Sequence, residues 1–237
     1  MSTILPTSSS SAAQVDFETR AKTYQLVYEH PWAVRFCHWA NTVSLFVLAG
    51  SGLQIFRAFP SFGPKIPQHN LFNVPPSLAL GGWLGGALQW HVTFAWIYLV
   101  TGILYVGYQL MSGNYRQVLF RLRDLRGVWP MARFYFFFGR KPAQTEPYNS
   151  LQKLAYTGAV LLGVISVLTG MVLYNPVQFS FLGSSMGGFH WARLWHFAVL
   201  VALILFVVGH IVMVFLHGWN NLVSMLTGWK RDPDYLE

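Results

Sequence analysis

Four stretches of the chain, at residues 34–56, 87–111, 151–173 and 193–216, are almost continuously apolar. Each contains about 20 residues or more, the length that an α-helix needs to cross the hydrocarbon core of a bilayer. Charged residues make up only 10% of the sequence, whereas a soluble domain typically has about 25%. The sequence therefore predicts an all-α integral membrane protein, a bundle of four transmembrane helices.

The basic residues of the loops indicate how the four spans are oriented. Between the second and third spans lie Arg116, Arg121, Arg123, Arg126, Arg133, Arg140 and Lys141. The first loop contains only Arg57 and Lys65, and the third loop contains none. Because positively charged loops stay on the cytoplasmic side, we expect both termini and the middle segment in the cytoplasm. This distribution favours a membrane topology over a nucleic-acid-binding surface.

The polar segments are too short to fold alone, so we expect one domain over residues 26–230. Residues 1–25 are Ser-rich and lack a signal-peptide pattern. They are predicted to be a disordered cytoplasmic tail, and residues 231–237 a short C-terminal tail.

Two connecting segments are expected to have structure of their own. Residues 115–138 mix arginines with large apolar side chains. This pattern fits either an interfacial helix on the cytoplasmic surface or an ordinary arginine-rich loop, and Pro130 is expected to break any single helix there. Residues 57–86 are rich in Pro, Gly and Phe and predict a compact periplasmic loop or a half-embedded segment.

Four histidines, His38, His91, His196 and His210, lie inside the apolar stretches. An ionisable side chain within a membrane span is costly and usually functional, although a neutral histidine hydrogen-bonded across helices is the alternative. His196 and His210 are 14 residues apart, which places them about 40° apart around one helix and roughly 21 Å apart along it. One helix would therefore present an imidazole near each membrane surface.

The expected topology pairs the four histidines by depth. His38 and His210 lie toward the cytoplasm, while His91 and His196 lie toward the periplasm, and each pair joins two different helices. A planar macrocycle fits between such facing helices, and two neutral imidazoles saturate a haem iron for electron transfer. Zinc instead takes about three or four protein ligands. The pattern therefore predicts two bis-histidine haem b groups.

Other residues near these histidines have two interpretations each. Arg35 and Arg193 lie one helical turn before His38 and His196; they either pair with haem propionates or snorkel to the interface. The small residues in the spans either make room for a cofactor or allow close helix packing. These glycines are Gly50, Gly52, Gly102, Gly107, Gly163 and Gly170.

The sequence resembles a known family in three strings: VRFCHWANTVSLFVLAGSGLQI, LQWHVTFAWIYLVTGILYVGYQLMSGNYR and ARLWHFAVLVALILFVVGHIVMVF. They are similar to the di-haem cytochrome b subunits of nickel-iron hydrogenases, a bacterial cytochrome b561-like family with related subunits in formate dehydrogenases and thiosulfate reductases. The resemblance covers roughly residues 28–228. It implies a four-helix anchor that passes electrons between a periplasmic catalytic subunit and the quinone pool.

The resemblance also implies site residues and a cellular location. The family's haem ligands fall on His38, His91, His196 and His210, with the pairing given above. Its quinone sits beside the cytoplasmic-side haem, near His210 and the start of the third span, which makes Asn41 and His217 candidates for quinone contact. The implied location is the bacterial cytoplasmic (inner) membrane, as a multi-pass protein in contact with lipid.

The loops differ from those of the hydrogenase members. The strings IFRAFPSFGPKIPQ and PVQFSFLGSSMGGFHWARLWH are more similar to cytochromes that accompany periplasmic molybdopterin oxidoreductases of the sulfite-oxidase type. We therefore expect such an enzyme as the partner, with a hydrogenase as the alternative. A stand-alone superoxide:quinone oxidoreductase is a further alternative, while a transporter would show broken helices and internal repeats.

Overall fold

The computed structural model describes residues 25–62, 73–137, 142, 148–217 and 219–232. In chain order its elements are β1 (Gln25–Tyr28), α1 (Trp32–Ala58), a 3₁₀ turn (Pro76–Leu78), α2 (Leu84–Ser112), α3 (Tyr115–Val118), a 3₁₀ turn (Leu122–Asp124), α4 (Leu125–Phe137), α5 (Ser150–Tyr174), α6 (Ser180–Ser185), α7 (Phe189–His217), α8 (Trp219–Thr227) and β2 (Trp229–Asp232). The predicted N-terminal tail, except Gln25, and residues 233–237 lie outside the described residues.

Four of these helices, α1, α2, α5 and α7, are long and apolar enough to cross a membrane. They coincide with the four predicted spans, and each extends one to four residues beyond the predicted ends. The prediction of a mostly helical, four-span membrane protein is confirmed.

Local sequence signals set several helix ends. At the start of α5 the Asn149 side chain accepts a hydrogen bond from the Gln152 N–H (2.9 Å), and the Gln152 side chain accepts one from the Asn149 N–H (3.0 Å). This reciprocal capping box satisfies two amide donors that the helix itself leaves free. Helix α2 ends at Gly113, whose φ of 74° is the left-handed conformation that glycine adopts most readily.

The chain divides into two compact units. One comprises the described residues of Phe36–Met213. The other, the terminal unit, comprises the described residues up to Arg35 together with those from Val214 onward. In the first unit the buried positions of the spans carry mostly small side chains. They include Cys37, Ser44, Ser51, Ala87, Thr101, Thr169, Val172 and Ala192. Large apolar side chains such as Phe46, Ile103 and Leu205 are more than 60% exposed, as expected where the surrounding solvent is lipid.

The segment between α2 and α5 is helical rather than an extended loop. Helix α3 and a 3₁₀ turn precede α4, and Pro130 lies inside α4 instead of ending it. The expectation that Pro130 breaks the helix was wrong. A proline removes one backbone N–H donor and crowds one carbonyl of the preceding turn, and α4 continues on both sides of that local defect.

Three contacts fasten this segment to the start of α5. The Phe120 N–H donates to the Thr157 hydroxyl at 2.8 Å, and the Lys153 ammonium lies 3.6 Å from the Asp124 carboxylate. A Cβ at Gly127 would collide with the Ser150 side chain, so glycine allows α4 to approach α5 closely. The segment is therefore anchored to the third span.

The described part of the first loop folds back onto α1. The Leu80 N–H donates to the Gly50 carbonyl at 3.0 Å, and the Gln54 amide donates to the Gly82 carbonyl at 3.2 Å. Residues 63–72, in the middle of the predicted compact loop, lie outside the described residues.

The terminal unit contains a feature that the all-α prediction did not include. Strands β1 and β2 pair in antiparallel register, with Tyr28 opposite Trp229. Gly228, at φ 92°, accepts hydrogen bonds from the N–H groups of Glu29 and His30 on its carbonyl. The Lys230 ammonium lies 3.1 Å from the Glu29 carboxylate. The two strands thus pair the N-terminal and C-terminal parts of the chain. Strand β2 includes residues 231 and 232, which the sequence analysis assigned to the C-terminal tail.

Candidate functional site

Two pairs of histidines face each other inside the unit Phe36–Met213. The ring centroids of His38 on α1 and His210 on α7 lie 6.2 Å apart, with the ring planes at 71°. The ring centroids of His91 on α2 and His196 on α7 also lie 6.2 Å apart, with the planes at 64°. The structure therefore brings together the same residues that the expected depths paired.

The separation within each pair fits a metal held between two imidazoles. A first-row metal bonds an imidazole nitrogen at about 2 Å, so an ion with one ring on each side separates the ring centroids by roughly 6 Å. Among the described residues there is no cluster of three or more His, Cys, Asp or Glu side chains that suits a metal. Each pair offers the two imidazoles that would hold one haem iron, and haem ligation by these residues stays a prediction.

Each ring of the His91–His196 pair contacts a buried hydroxyl on another helix. The Ser51 hydroxyl on α1 lies 3.0 Å from His91 Nδ1, and the Thr169 hydroxyl on α5 lies 2.9 Å from His196 Nδ1. Both hydroxyl residues are almost inaccessible, with exposures of 0% and 1%. Since each hydroxyl holds Nδ1, the nitrogen left for a metal on each ring is Nε2.

The residue after each hydroxyl is a glycine that makes room for the same imidazole. A Cβ at Gly52 would lie 3.2 Å from His91 Cε1, and a Cβ at Gly170 would lie 3.4 Å from His196 Cε1. Larger side chains at these two positions would displace the imidazole rings of His91 and His196. The sequence analysis named both glycines and left their role open between cofactor space and helix packing; here they pack against the candidate ligands.

Two other glycines lie on the helices that carry His91 and Thr169. Gly102 is 11 residues after His91 on α2, and Gly158 is 11 residues before Thr169 on α5. Each is therefore on nearly the same helix face as its reference residue and roughly 16 Å further along the axis. A Cβ at either glycine would meet nothing within 4 Å. The role of Gly102, which the sequence leaves open between cofactor space and helix packing, stays a prediction.

The two arginines predicted near the haems make protein contacts. The Arg193 guanidinium donates to the Phe59 carbonyl and lies over the Phe59 ring, 4.6 Å from its centroid. In the terminal unit the Arg35 guanidinium donates to the Leu226 carbonyl at 2.5 Å. Pairing of either arginine with a haem propionate stays a prediction.

The two candidate quinone residues differ in what can be said of them. Asn41 lies about one turn after His38 on α1. Its side-chain Oδ1 is 2.8 Å from the buried Thr101 hydroxyl on α2. His217 is the last residue of α7, and its side chain lies outside the described residues. Quinone contact by either residue stays a prediction.

Sequence reasoning missed Ser51, Thr169 and Lys153. The first two had a detectable signal, because a hydroxyl residue followed directly by glycine occurs in both the first and the third spans. Lys153 is a lysine at the start of an apolar stretch, and its side chain is only 3% exposed. Its partner Asp124 is 29 residues away, so no local pattern indicated the pair.

Comparisons with known proteins agree with this geometry. The family model described as prokaryotic cytochrome b561 matches residues 29–228. A protein of Azospira oryzae named "Putative protein-methionine-sulfoxide reductase subunit YedZ1" is 36% identical over 199 residues, which cover 84% of this chain and 96% of that protein. No solved structure matches the chain significantly.

Hydrogenase cytochromes are more distant relatives. The "Probable Ni/Fe-hydrogenase 1 B-type cytochrome subunit" of Escherichia coli K12 is 25% identical over 207 residues, covering 79% of this chain and 80% of the relative. A "Probable Ni/Fe-hydrogenase B-type cytochrome subunit" of Cupriavidus necator is 26% identical over 235 residues, covering 88% and 87%.

Proposed function

The chain belongs to the prokaryotic cytochrome b561 family, whose members are membrane electron-transfer proteins with b-type haem, and on that premise we propose its specific role. It binds two haems and carries electrons between quinone in the membrane and a redox enzyme in the periplasm. The proposal places it in the bacterial cytoplasmic membrane with both termini inside, as the loop charges indicate.

The observation that carries this proposal is the presence of two histidine pairs with the same 6.2 Å spacing. Both pairs share α7, where His196 and His210 are 14 residues apart, or roughly 21 Å along the axis. A single bilayer-spanning helix thus contributes one ligand to each of two sites at different depths. Bound haem supplies the one-electron redox chemistry.

The protein's own residues have three tasks in this role. The two histidine pairs would each hold one haem, and a haem held by two imidazoles favours electron transfer over oxygen binding. The apolar exteriors of α1, α2, α5 and α7 keep the sites within the bilayer. The small buried residues between the helices leave space for the macrocycles while the hydroxyl groups hold two of the rings.

For the partner, we propose a periplasmic molybdopterin oxidoreductase acting on a sulfoxide. The relative named as a methionine-sulfoxide reductase subunit is 36% identical, whereas the hydrogenase cytochromes are 25% and 26% identical. The loop strings favour the same class of partner. A reductase consumes electrons, so quinol would be the donor and the His91–His196 side of the chain would deliver electrons to the enzyme.

We propose that quinone binds near the His38–His210 pair and that Asn41 contacts it. The Asn41 side chain is hydrogen-bonded to the Thr101 hydroxyl, 2.8 Å away, so its orientation is restricted and its remaining polar atoms are available to a quinone. This contact supports quinone binding by Asn41 more directly than by His217, which is proposed only from its position in the chain.

Haem content of purified histidine variants tests the proposal. The wild-type protein in detergent should show b-type bands in a reduced-minus-oxidised spectrum and two haems per chain in a pyridine haemochrome assay. His91→Ala and His196→Ala should each lose one haem, and the same one, because each leaves an iron with one ligand. His38→Ala and His210→Ala should lose the other.

His190→Ala is the matched control, because His190 is also on α7 but packs against Phe189 rather than another histidine. It should keep two haems. A colourless wild-type protein, or four variants that each retain two haems, would contradict the proposal. Oxidation of superoxide by the chain without a partner would instead support the stand-alone oxidoreductase.

A further inference from the structure

We propose that Ser51 and Thr169 are positioning residues for the His91–His196 site. Each hydroxyl accepts a hydrogen bond from ring Nδ1, which turns Nε2 toward the opposite ring and makes the imidazole a stronger electron donor to a bound iron. The inference deepens the proposed function and rests on it, since its consequence is measured on the bound haem.

The hydrogen-bond geometry indicates the direction of each bond. The Ser51 hydroxyl oxygen lies 2.6 Å from the Val47 carbonyl and 3.0 Å from His91 Nδ1. A hydroxyl has one proton, and a carbonyl can only accept it. The Leu48 carbonyl is also within reach, at 3.3 Å. With its proton on one of these carbonyls, Ser51 would accept from the Nδ1–H of His91, and the neutral imidazole would have its lone pair on Nε2.

The second ring repeats this arrangement from a different helix. The Thr169 hydroxyl oxygen lies 2.7 Å from the Ile165 carbonyl and 2.9 Å from His196 Nδ1. Serine and threonine often bond to the carbonyl four residues earlier in a helix, and that bond alone would be ordinary. At this site, however, both hydroxyls that make such a bond also contact an imidazole nitrogen of the facing histidine. This repetition indicates that the hydroxyls position the rings.

The glycines that follow Ser51 and Thr169 also restrict the two imidazole rings, independently of the hydrogen bonds. Gly52 and Gly170 each place a backbone without a Cβ against the Cε1 edge of the ring that the preceding hydroxyl holds. A hydroxyl and a glycine therefore contact adjacent edges of each imidazole. Ring rotation is restricted at both places, as a ligand with a defined orientation requires.

These contacts have a consequence for redox behaviour. A hydrogen bond from the second ring nitrogen raises the basicity of an imidazole ligand, and a more basic ligand stabilises the oxidised iron more than the reduced iron. Removing either hydroxyl should therefore raise the midpoint potential of the haem at this site. It should also free the ring to rotate, which alters the low-spin EPR spectrum.

The test uses four variants of the full-length protein in detergent. Thr169→Val removes the hydroxyl at nearly constant volume, and Thr169→Ser keeps the hydroxyl. Ser51→Ala removes the other hydroxyl. Ser44→Ala is the control, since Ser44 is one heptad before Ser51 on α1, equally buried, and its hydroxyl has no hydrogen-bond partner within the described part of the chain.

Potentiometric titration and EPR then give the outcome. Thr169→Val and Ser51→Ala should raise the potential of one haem, the one lost in His91→Ala. A tenfold loss of preference for the oxidised iron would correspond to about 59 mV for one electron. Thr169→Ser and Ser44→Ala should match the wild type. Loss of that haem in Thr169→Val but not in Thr169→Ser also supports the proposal.

The proposal is overturned if Thr169→Val and Ser51→Ala retain both haems with wild-type potentials and EPR spectra. It is also overturned if Ser44→Ala shifts the potential as much, or if Thr169→Ser and Thr169→Val behave alike. These results differ from a failure of the proposed function, in which the wild-type protein itself does not bind two haems.

Discussion

At the scale of single residues, the orientation of the imidazole rings is as informative as their spacing. The two rings of each pair are closer to perpendicular than to parallel, at 71° for His38–His210 and 64° for His91–His196. In a haem held by two imidazoles, the π orbital of each imidazole would interact with one of two iron d orbitals. Perpendicular rings act on both orbitals almost equally and keep their energies close, whereas parallel rings separate them.

This orientation predicts the EPR spectrum of the oxidised protein. Both haems should give strongly anisotropic low-spin signals with a prominent low-field feature, because near-degenerate d orbitals leave a large orbital contribution to the magnetic moment. The measurement is a low-temperature spectrum of the wild type, with His91→Ala as the control that isolates the signal of the His38–His210 site. A rhombic spectrum typical of parallel rings from either site would contradict the prediction.

At the scale of elements, the buried pair Asp124–Lys153 joins the segment between α2 and α5 to α5 itself. The side chains are 9% and 3% exposed, respectively. Burial by itself raises the pKa of Asp124, but the Arg121 N–H and the Lys153 ammonium together outweigh it and hold that pKa below its usual value. The carboxylate also accepts the Arg121 N–H at 2.8 Å, which closes the short turn before α4.

Breaking this pair should destabilise the protein. Lys153→Met leaves a buried carboxylate without its cation and should lower the free energy of unfolding by about 3 kcal/mol, while the double variant with Asp124→Leu should recover most of the loss. The measurement is thermal unfolding in detergent. Equal stabilities of Lys153→Met and wild type at pH 7 would show that the pair contributes nothing.

The same pair predicts a pH dependence. Because the folded-state pKa of Asp124 is lowered, its contribution is present above the unfolded-state pKa of about 3.9 and is lost as the pH falls through the folded-state value. The stability difference between wild type and Lys153→Met should therefore be largest near pH 7 and shrink as the pH falls, because protonation of Asp124 first removes the unpaired charge of the variant. A difference that grows toward low pH would contradict this assignment.

At the scale of the whole molecule, charge and hydropathy set the position in the membrane. Four spans require both ends of the chain to lie on one side, and antiparallel pairing of β1 with β2 places the two ends together. The loop between α2 and α5 contains seven basic residues, and the loop between α5 and α7 contains none. The positive-inside rule then predicts a cytoplasmic location for the termini and for the loop between α2 and α5.

Reporter fusions test this orientation. Alkaline phosphatase fused after Gln178 should be active, because that loop is predicted to be periplasmic, whereas fusion after Pro142 or at the C-terminus should be inactive. Green fluorescent protein at the same three positions is the matched control and should give the opposite pattern. Phosphatase activity at the C-terminus would reverse the topology, and with it the expected side of each histidine pair.

The sequence by itself determined the number of spans, their ends to within four residues and the residues of the two histidine pairs. The physical reason is that a bilayer forces each segment to satisfy its backbone hydrogen bonds internally. Secondary structure is then decided locally by hydropathy, and helical geometry fixes the depth of every residue from its position in the span. Histidines at equal depth are few, so depth alone restricts which of them meet.

Only the tertiary structure decided what surrounds those rings. Ser51 and His91 are 40 residues apart, and Thr169 and His196 are 27 apart. Whether they touch depends on how far each helix is rotated about its own axis, which depth does not specify. Asp124 and Lys153 likewise meet only because the segment around α4 packs against α5, which local sequence does not specify. Local sequence determines which segments are helical and how deep each residue lies in the membrane. The rotation of each helix about its axis and the contacts between helices depend on the packing of all the helices together.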